Sequence, residues 1–187
     1  VETNILEKDY EKDAFYIETQ ISYDGAIVNT NRIQLVENNQ KIELPICNEN
    51  TEHSVKVWSP ENPNLYDIEY RLYHEEKVID TIYSYFGVRK ISIKGNKIFL
   101  NNNELYQKLI LDQGYWKESH LTPPNEEALI KDIDYVLKFG YNGVRKHQKV
   151  EDEKFLYWCD VKGVLVWGEM ANCYEFNDSS LEGFSSQ

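Results

Sequence analysis

The chain is poor in cysteine, in basic residues relative to acidic ones, and in long apolar stretches, and each shortage excludes something. Only three cysteines, Cys47, Cys159 and Cys173, occur in 187 residues. They are odd in number and lack metal-type spacing, so neither a disulfide framework nor a zinc site is implied. Three reduced thiols packed as small hydrophobes fit better, which points to a cytoplasmic setting. Twenty Lys and Arg stand against 32 Asp and Glu, a formal charge of -12. A phosphate-backbone partner would be repelled unless a strong basic patch existed, and none is visible, so nucleic acid is not an expected partner. Apolar runs such as Val164 to Trp167 fall far short of the roughly 18 residues a membrane-crossing helix needs, so no membrane partner is expected either. The N-terminal residues Val1-Glu2-Thr3-Asn4 include no initiator Met, basic stretch or apolar core of a signal peptide.

What is present is enough to fold. Hydrophobic residues make up 41% of the chain and aromatics 13%, 14 of them Tyr, which suffices for a packed core. The acidic excess reads mainly as a solvated face.

Up to about residue 94 the pattern has a period of two. Phe15, Ile17, Thr19 and Ile21 alternate with Tyr16, Glu18, Gln20 and Ser22; Ile33 and Leu35 alternate with Arg32 and Gln34; Ile42 and Leu44 alternate with Lys41 and Glu43. Val55 to Trp58, Leu65 to Tyr73 and Val78 to Tyr85 are further β-rich runs. Turn residues at Asp24-Gly25, Asn38-Asn39, Pro60 and Pro63 separate them. Six or seven short strands at this spacing predict an antiparallel β-sandwich of immunoglobulin-like type over residues 1–94.

After residue 95 the period changes. Lys97 to Leu100 and Leu105 to Leu111 flank Asn101-Asn102-Asn103, a hairpin followed by a buried strand that ends near Asp112. Asn125 ahead of Glu126 and Glu127 reads as an N-cap with acids in the first turn. Leu129, Ile133, Val136 and Leu137 follow at helical spacing to Gly140. Tyr141 to Arg145 is a strand; a second helix runs from about Asp152 to Gly163 with Phe155, Leu156 and Cys159 on one side; Val164 to Trp167 is a fully apolar strand. Strand, helix, strand, helix, strand predicts two βαβ units and a parallel sheet over residues 95–187.

In such a sheet ligands gather at the carboxyl ends of the strands. The first end carries Asp112, Gln113 and Trp116, the second Asn142, Arg145 and His147, the third Trp167 and Glu169, and the expectation is that these converge. Carboxylates accept from hydroxyls, His and Arg donate, and an indole stacks on the apolar face of a pyranose, so the set suits a sugar. Each residue also has a plainer use. Asp112 can cap the next helix, His147 can sit on a rim, Arg145 can make a structural ion pair, and the tryptophans Trp58, Trp116, Trp158 and Trp167 are core candidates. His53, His74 and His120 stand alone in polar surroundings and carry no signal.

Together these residues resemble a known family. Trp58-Ser59-Pro60, Pro63, Leu65-Tyr66 and Phe86-Gly87-Val88-Arg89 resemble the last strands of the immunoglobulin-like domain of glycoside hydrolase family 2, the β-galactosidase, β-glucuronidase and β-mannosidase family. Phe99-Leu100-Asn101, Asp132-Ile133, Asn142-Gly143-Val144-Arg145, Cys159-Asp160 with Gly163, and Trp167-Gly168-Glu169 are similar to the start of its (β/α)8 barrel. The match runs over roughly residues 55 to 172 in the family's order.

The resemblance implies a retaining β-glycosidase, here an internal fragment containing the sandwich and the first three βα steps of a TIM barrel. In the family the acid/base Glu follows the fourth barrel strand and the nucleophile follows the seventh, so both are expected beyond residue 187 and no catalytic residue is assigned. Glu169 resembles the Glu after the third strand, which supports the sugar site, and Arg145 and His147 resemble the Arg and His after the second. His147 stands one residue nearer than in the usual pattern. The substrate-binding set is therefore Asp112, Gln113, Trp116, Asn142, Arg145, His147, Trp167 and Glu169, with no metal and no cofactor implied. The expected partner is a β-glycoside. The isolated fragment should be inactive and prone to form a homo-oligomer or strand-exchanged dimer through its unpaired strand edges. The alternative is a non-catalytic carbohydrate-binding or interaction module.

Overall fold

A computed structural model describes residues 2–4, 15–37, 39–47, 54–173, 175 and 177–185. The expected turn residue Asn38 and the solitary His53 lie outside them. The chain divides into two compact units, Val1–Ile91 and Ser92–Gln187. Most of the regular structure is β, with few helices.

The first unit is built on strands β1 (Glu2–Asn4), β2 (Phe15–Tyr23), β3 (Ala26–Gln34), β4 (Asn39–Lys41), β5 (Tyr66–His74) and β6 (Lys77–Phe86). Four of them form an antiparallel sheet in the order β3-β2-β5-β6, and β1 pairs with β4. The alternation seen in β2 is a burial pattern. Phe15, Ile17, Thr19 and Ile21 are all buried, while the residues between them are half-buried. Val28, Leu35, Ile42, Tyr66 and Ile68 complete the core on that side. The opposite face is a charged and aromatic ladder, in which the Arg32 guanidinium lies about 5 Å from the rings of both Tyr16 and Tyr73 and Arg71 bridges Glu18 and Glu69.

Two expected strands are shorter than their patterns. Val55 to Trp58 makes only an isolated bridge between Val57 and Val88. Residues 42–45 leave the ladder after β4, approaching Pro45, which has no N–H to donate and whose carbonyl instead accepts from Asn29 Nδ2 at 2.6 Å.

Strand β7 (Ile91–Lys94), whose first residue closes the first unit, forms with β8 (Lys97–Leu100) and β9 (Asn103–Glu104) a small sheet in that order. Asn101 and Asn102 both have positive φ, 51° and 68°, as the tight hairpin between β8 and β9 demands and as Asn tolerates. Then come β10 (Leu109–Asp112), α1 (Glu126–Lys138), β11 (Gly143–Lys146), α2 (Glu153–Lys162), β12 (Leu165–Trp167) and α3 (Asp178–Ser185). Strands β10, β11 and β12 form a parallel sheet in sequence order. Asn125 caps α1 by accepting from Ala128 N at 2.8 Å. Asp152 caps α2, which ends at Gly163 in the left-handed conformation, φ 74°.

Both helices cover one face of that sheet through Leu129, Ile133, Val136, Phe155 and Cys159, which meet Val144 and Val164. Leu137 and Leu156, expected on the buried sides, are instead 39% and 41% exposed. The strand expected over residues 105–111 starts only at Leu109, because the Asn142 side chain occupies the backbone before it: it accepts from Lys108 N at 2.7 Å and donates to the Tyr106 carbonyl at 2.9 Å. The helix α3 had no counterpart in the periodicity.

Candidate functional site at the strand ends

The register of the parallel sheet fixes which side chains share a face. Leu111, Arg145 and Trp167 are partners across the three strands, and Asp112 pairs with Lys146. Successive side chains on a strand point to opposite faces. Val144 packs into the helix-covered core, so Lys146, two residues on, faces the helices. Arg145 faces away from them.

On the face away from the helices, Arg145 Nε donates to Glu169 Oε1 at 2.5 Å. The second oxygen, Oε2, accepts from the backbone N–H of Gln148 at 3.0 Å. Gln148 adopts φ 56°, an uncommon conformation for a residue other than glycine. The Gln148 N–H and then the Arg145 guanidinium hold the Glu169 carboxyl below the usual carboxylate range. Beside this pair, Gln113 Nε2 and His147 Nδ1 stand 3.1 Å apart. With the amide donating, the neutral imidazole carries its proton on Nε2, aimed elsewhere. Trp167 shares the Arg145 face and is 48% exposed. Trp116 is half-buried in a tight turn closed by backbone hydrogen bonds to His120.

The structure thus gathers Gln113, Arg145, His147 and Glu169 at the carboxyl ends, with Trp167 on the same face as Arg145. It separates two others. Asn142 lies at the opposite end of β11, roughly 13 Å from Lys146 at about 3.3 Å per residue. Its amide is engaged with residues 106 and 108, so the structure does not bring it to the strand ends with the others. Asp112 is at the correct end but on the helix side: its carboxylate pairs with Lys146 Nζ and accepts from Gly114 N at 2.7 Å. It organises the loop after β10 rather than joining the Glu169 pair.

A residue outside the expected binding set, Lys146, is the most deeply held charge at this end of the sheet among the described residues. It is 2% exposed, and the Glu151 side chain beside it is 6% exposed. Its ammonium meets both Asp112 and Glu151 Oε2, the latter at 2.8 Å, and lies 4.0 Å from the centre of the Phe155 ring. These two carboxylates outweigh burial and raise its pKa above the ordinary value. Strand parity was the available signal, since Lys146 is in phase with the core residue Val144.

A cleft of about 260 Å³ lies between the loops after β11 and β12, with Lys149, Glu151, Leu156, Glu169 and Met170 in its lining. Among the described residues no group of three or more metal-type ligands gathers, and no helix is long and apolar enough to cross a membrane.

Comparison with known proteins gives this geometry a context. Residues 2–89 match the family described as Glycosyl hydrolases family 2. The chain is 27% identical over 121 residues to a putative beta-glucuronidase of Formosa agariphila, an alignment that covers 63% of this chain and 14% of that protein. It is 30% identical over 121 residues to a beta-galactosidase of Lactococcus lactis, covering 61% of this chain and 11% of the relative. In fold it is similar to the crystal structure of Bacteroides uniformis beta-glucuronidase, with a TM-score of 0.73 at 21% identity over 88% of this chain and 20% of that one. The chain therefore spans only a small part of the relatives' length. The match over residues 2–89 and these relatives make the chain similar, over part of its length, to members of the glycosyl hydrolases family 2.

Proposed function

We propose that this chain is the part of a retaining, β-galactosidase-like β-glycosidase that joins an immunoglobulin-like sandwich, residues 1–94, to the first three βα steps of a (β/α)8 barrel, residues 95–187. The observation that carries the reading is the Arg145–Glu169 pair beside Gln113 and His147 at the carboxyl ends of three parallel strands. In a barrel that face turns inward and that end binds substrate.

The roles follow from the chemistry of each group. Glu169, kept ionised by Gln148 N–H and Arg145, accepts hydrogen bonds from sugar hydroxyls. His147 Nε2–H donates to one, and the exposed ring of Trp167 offers an apolar face to a pyranose. A carboxyl already paired with a guanidinium is a poor proton donor at neutral pH, which argues against Glu169 as the general acid. Asp112 is held on the other face of the sheet, so these two carboxylates do not form the pair about 5 to 5.5 Å apart that retention requires. The acid/base and the nucleophile are accordingly assigned to later parts of the enzyme, and the chain alone is expected to be inactive.

The test is to assay this chain and the full-length gene product on a panel of nitrophenyl β-glycosides. Turnover by the full-length protein alone is the expected result. Turnover by the isolated chain that disappears in Glu169→Gln would overturn the assignment.

A further inference from the structure

We propose that Lys146 is a positioning residue: its buried cation, clamped between Asp112 and Glu151, locks the loop after β10 to the loop after β11 and so sets where Gln113, His147 and Glu169 stand. Its meaning for catalysis rests on the sugar-site reading above, whereas the brace itself is a matter of geometry.

Residues 147–151 form a short loop whose two ends are drawn together by the Lys146 to Glu151 ion pair at 2.8 Å. Within it, Gln148 holds its left-handed conformation and presents its N–H to Glu169 Oε2, and His147 meets Gln113. Glu151 is 6% exposed and also accepts from Lys149 Nζ at 3.1 Å. Lys149 in turn donates to the Leu121 carbonyl at 2.7 Å, which belongs to the loop after β10. From the other side, Asp112 takes Lys146 with one oxygen and the Gly114 N–H with the other. Gly114 has φ 64°, and a Cβ there would stand 2.5 Å from Lys149 Nζ, so the two loops are in direct contact where the charges meet. Asp132 on α1 faces the same cluster, feeling Asp112, Lys146 and Glu151. With Asp112 and Glu151 both on Lys146, and Lys149 on Glu151, the cluster depends on Lys146 for its closure.

A cation that served stability alone could be exchanged for a neutral group once its partners were neutralised too, because buried ion pairs are often replaceable by apolar residues of similar volume. The triple variant Asp112→Asn, Lys146→Met, Glu151→Gln makes that exchange. It is compared with the unaltered chain by thermal melting, by amide hydrogen exchange at Gln148, and by the ring nitrogen shifts of His147. The triple is expected to melt close to the parent while exchange at Gln148 rises at least about tenfold and the His147 ring nitrogen shifts change as its contact with Gln113 loosens. Exchange at Gln148 within twofold and an unchanged His147 spectrum would overturn the proposal. Should the triple fail to fold, the single variant Glu151→Gln keeps Lys146 paired with Asp112 and decides in its place: a rise of at least about threefold at Gln148 supports the brace, and no change overturns it. No sugar enters these measurements, so their failure is distinct from a failure of the full-length enzyme to hydrolyse glycosides.

Discussion

Gly143 opens the middle strand of the parallel sheet, and Gly143→Ala should be among the most damaging small substitutions in the chain. Its φ is not in the left-handed region, so the whole effect is steric. An added Cβ would meet Leu109 Cδ2 at 2.5 Å, the Leu165 carbonyl oxygen at 2.6 Å and Leu165 Cβ at 2.7 Å. The leucine methyl can rotate aside; the carbonyl cannot. Restoring a contact of 3.4 Å to that oxygen requires about 0.8 Å of separation between β11 and β12 (3.4 less 2.6), at the point where Leu165 N–H donates to the Asn142 carbonyl at 2.9 Å. Overpacking at a rigid site costs about 1–3 kcal/mol, and a weakened buried hydrogen bond adds about 1 kcal/mol, so a loss of about 2–4 kcal/mol is expected. With a urea slope of about 2 kcal/mol/M, the midpoint should fall by about 1–2 M. Trp emission is a suitable probe, since Trp116, Trp158 and Trp167 lie in the second unit. Gly168→Ala supplies the contrast, because its Cβ would meet nothing within 4 Å and its φ is unremarkable. It should be neutral or slightly stabilising. Midpoints for the two variants agreeing to within about 0.25 M, or about 0.5 kcal/mol at that slope, would refute the steric account. Arg145 lies two residues beyond Gly143, so the Gly143 variant should also loosen the pair with Glu169.

Asp132→Asn should stabilise the second unit at neutral pH. Burial, and then the neighbouring Asp112, push the Asp132 carboxyl above its usual range; the folded state therefore holds this proton more tightly than the unfolded one, and its contribution to stability is lost as pH rises from the unfolded value through the folded value. The gain from Asn should vanish in melts at acid pH, below the ordinary Asp range. Cys159 is 1% exposed with its thiol pushed up by burial, whereas Cys47 and Cys173 are half-buried. A thiol-reactive dye should label two of the three quickly, and fast labelling of all three under native conditions would contradict this burial. Strands β10 and β12 are the edges of the three-stranded sheet among the described residues, so the isolated chain should self-associate; light scattering showing a monomer at high concentration would count against it.

The sequence disclosed elements whose driving force is local. Strand β2 was legible because its alternation is a burial pattern, and α1 and α2 because Asn125, Asp152 and Gly163 carry their caps in plain view. What failed depended on distant partners. Residues 105–108 carry β-forming side chains, yet Asn142, some 34 residues later, captures their backbone. The exposure of Leu137 and Leu156 could not be read from helical spacing, since both flank a stripe that is buried by a sheet too narrow to cover them. In the site, the residue types at the strand ends were legible, but not which face each would take.

That face is decided by parity, and parity explains how neighbouring charges at one sheet end acquire different roles. Arg145 and Lys146 are adjacent, both cationic and both at the carboxyl end of β11, yet one is half exposed and paired with Glu169 while the other is 2% exposed between Asp112 and Glu151. The core fixes the phase: Val144 must face the helices to meet Ile133 and Phe155, so Lys146 is carried inward with it and Arg145 outward. Pairing of Asp112 with Lys146 then sends Asp112 to the helix side as well. A one-residue slip of β11 would reverse both assignments at once, burying an arginine against Phe155 and leaving Glu169 without its guanidinium. The buried Lys146 cluster and the open Arg145–Glu169 pair are therefore two consequences of one register. The apolar packing of Val144 specifies the polar geometry of the site as firmly as any hydrogen bond within it.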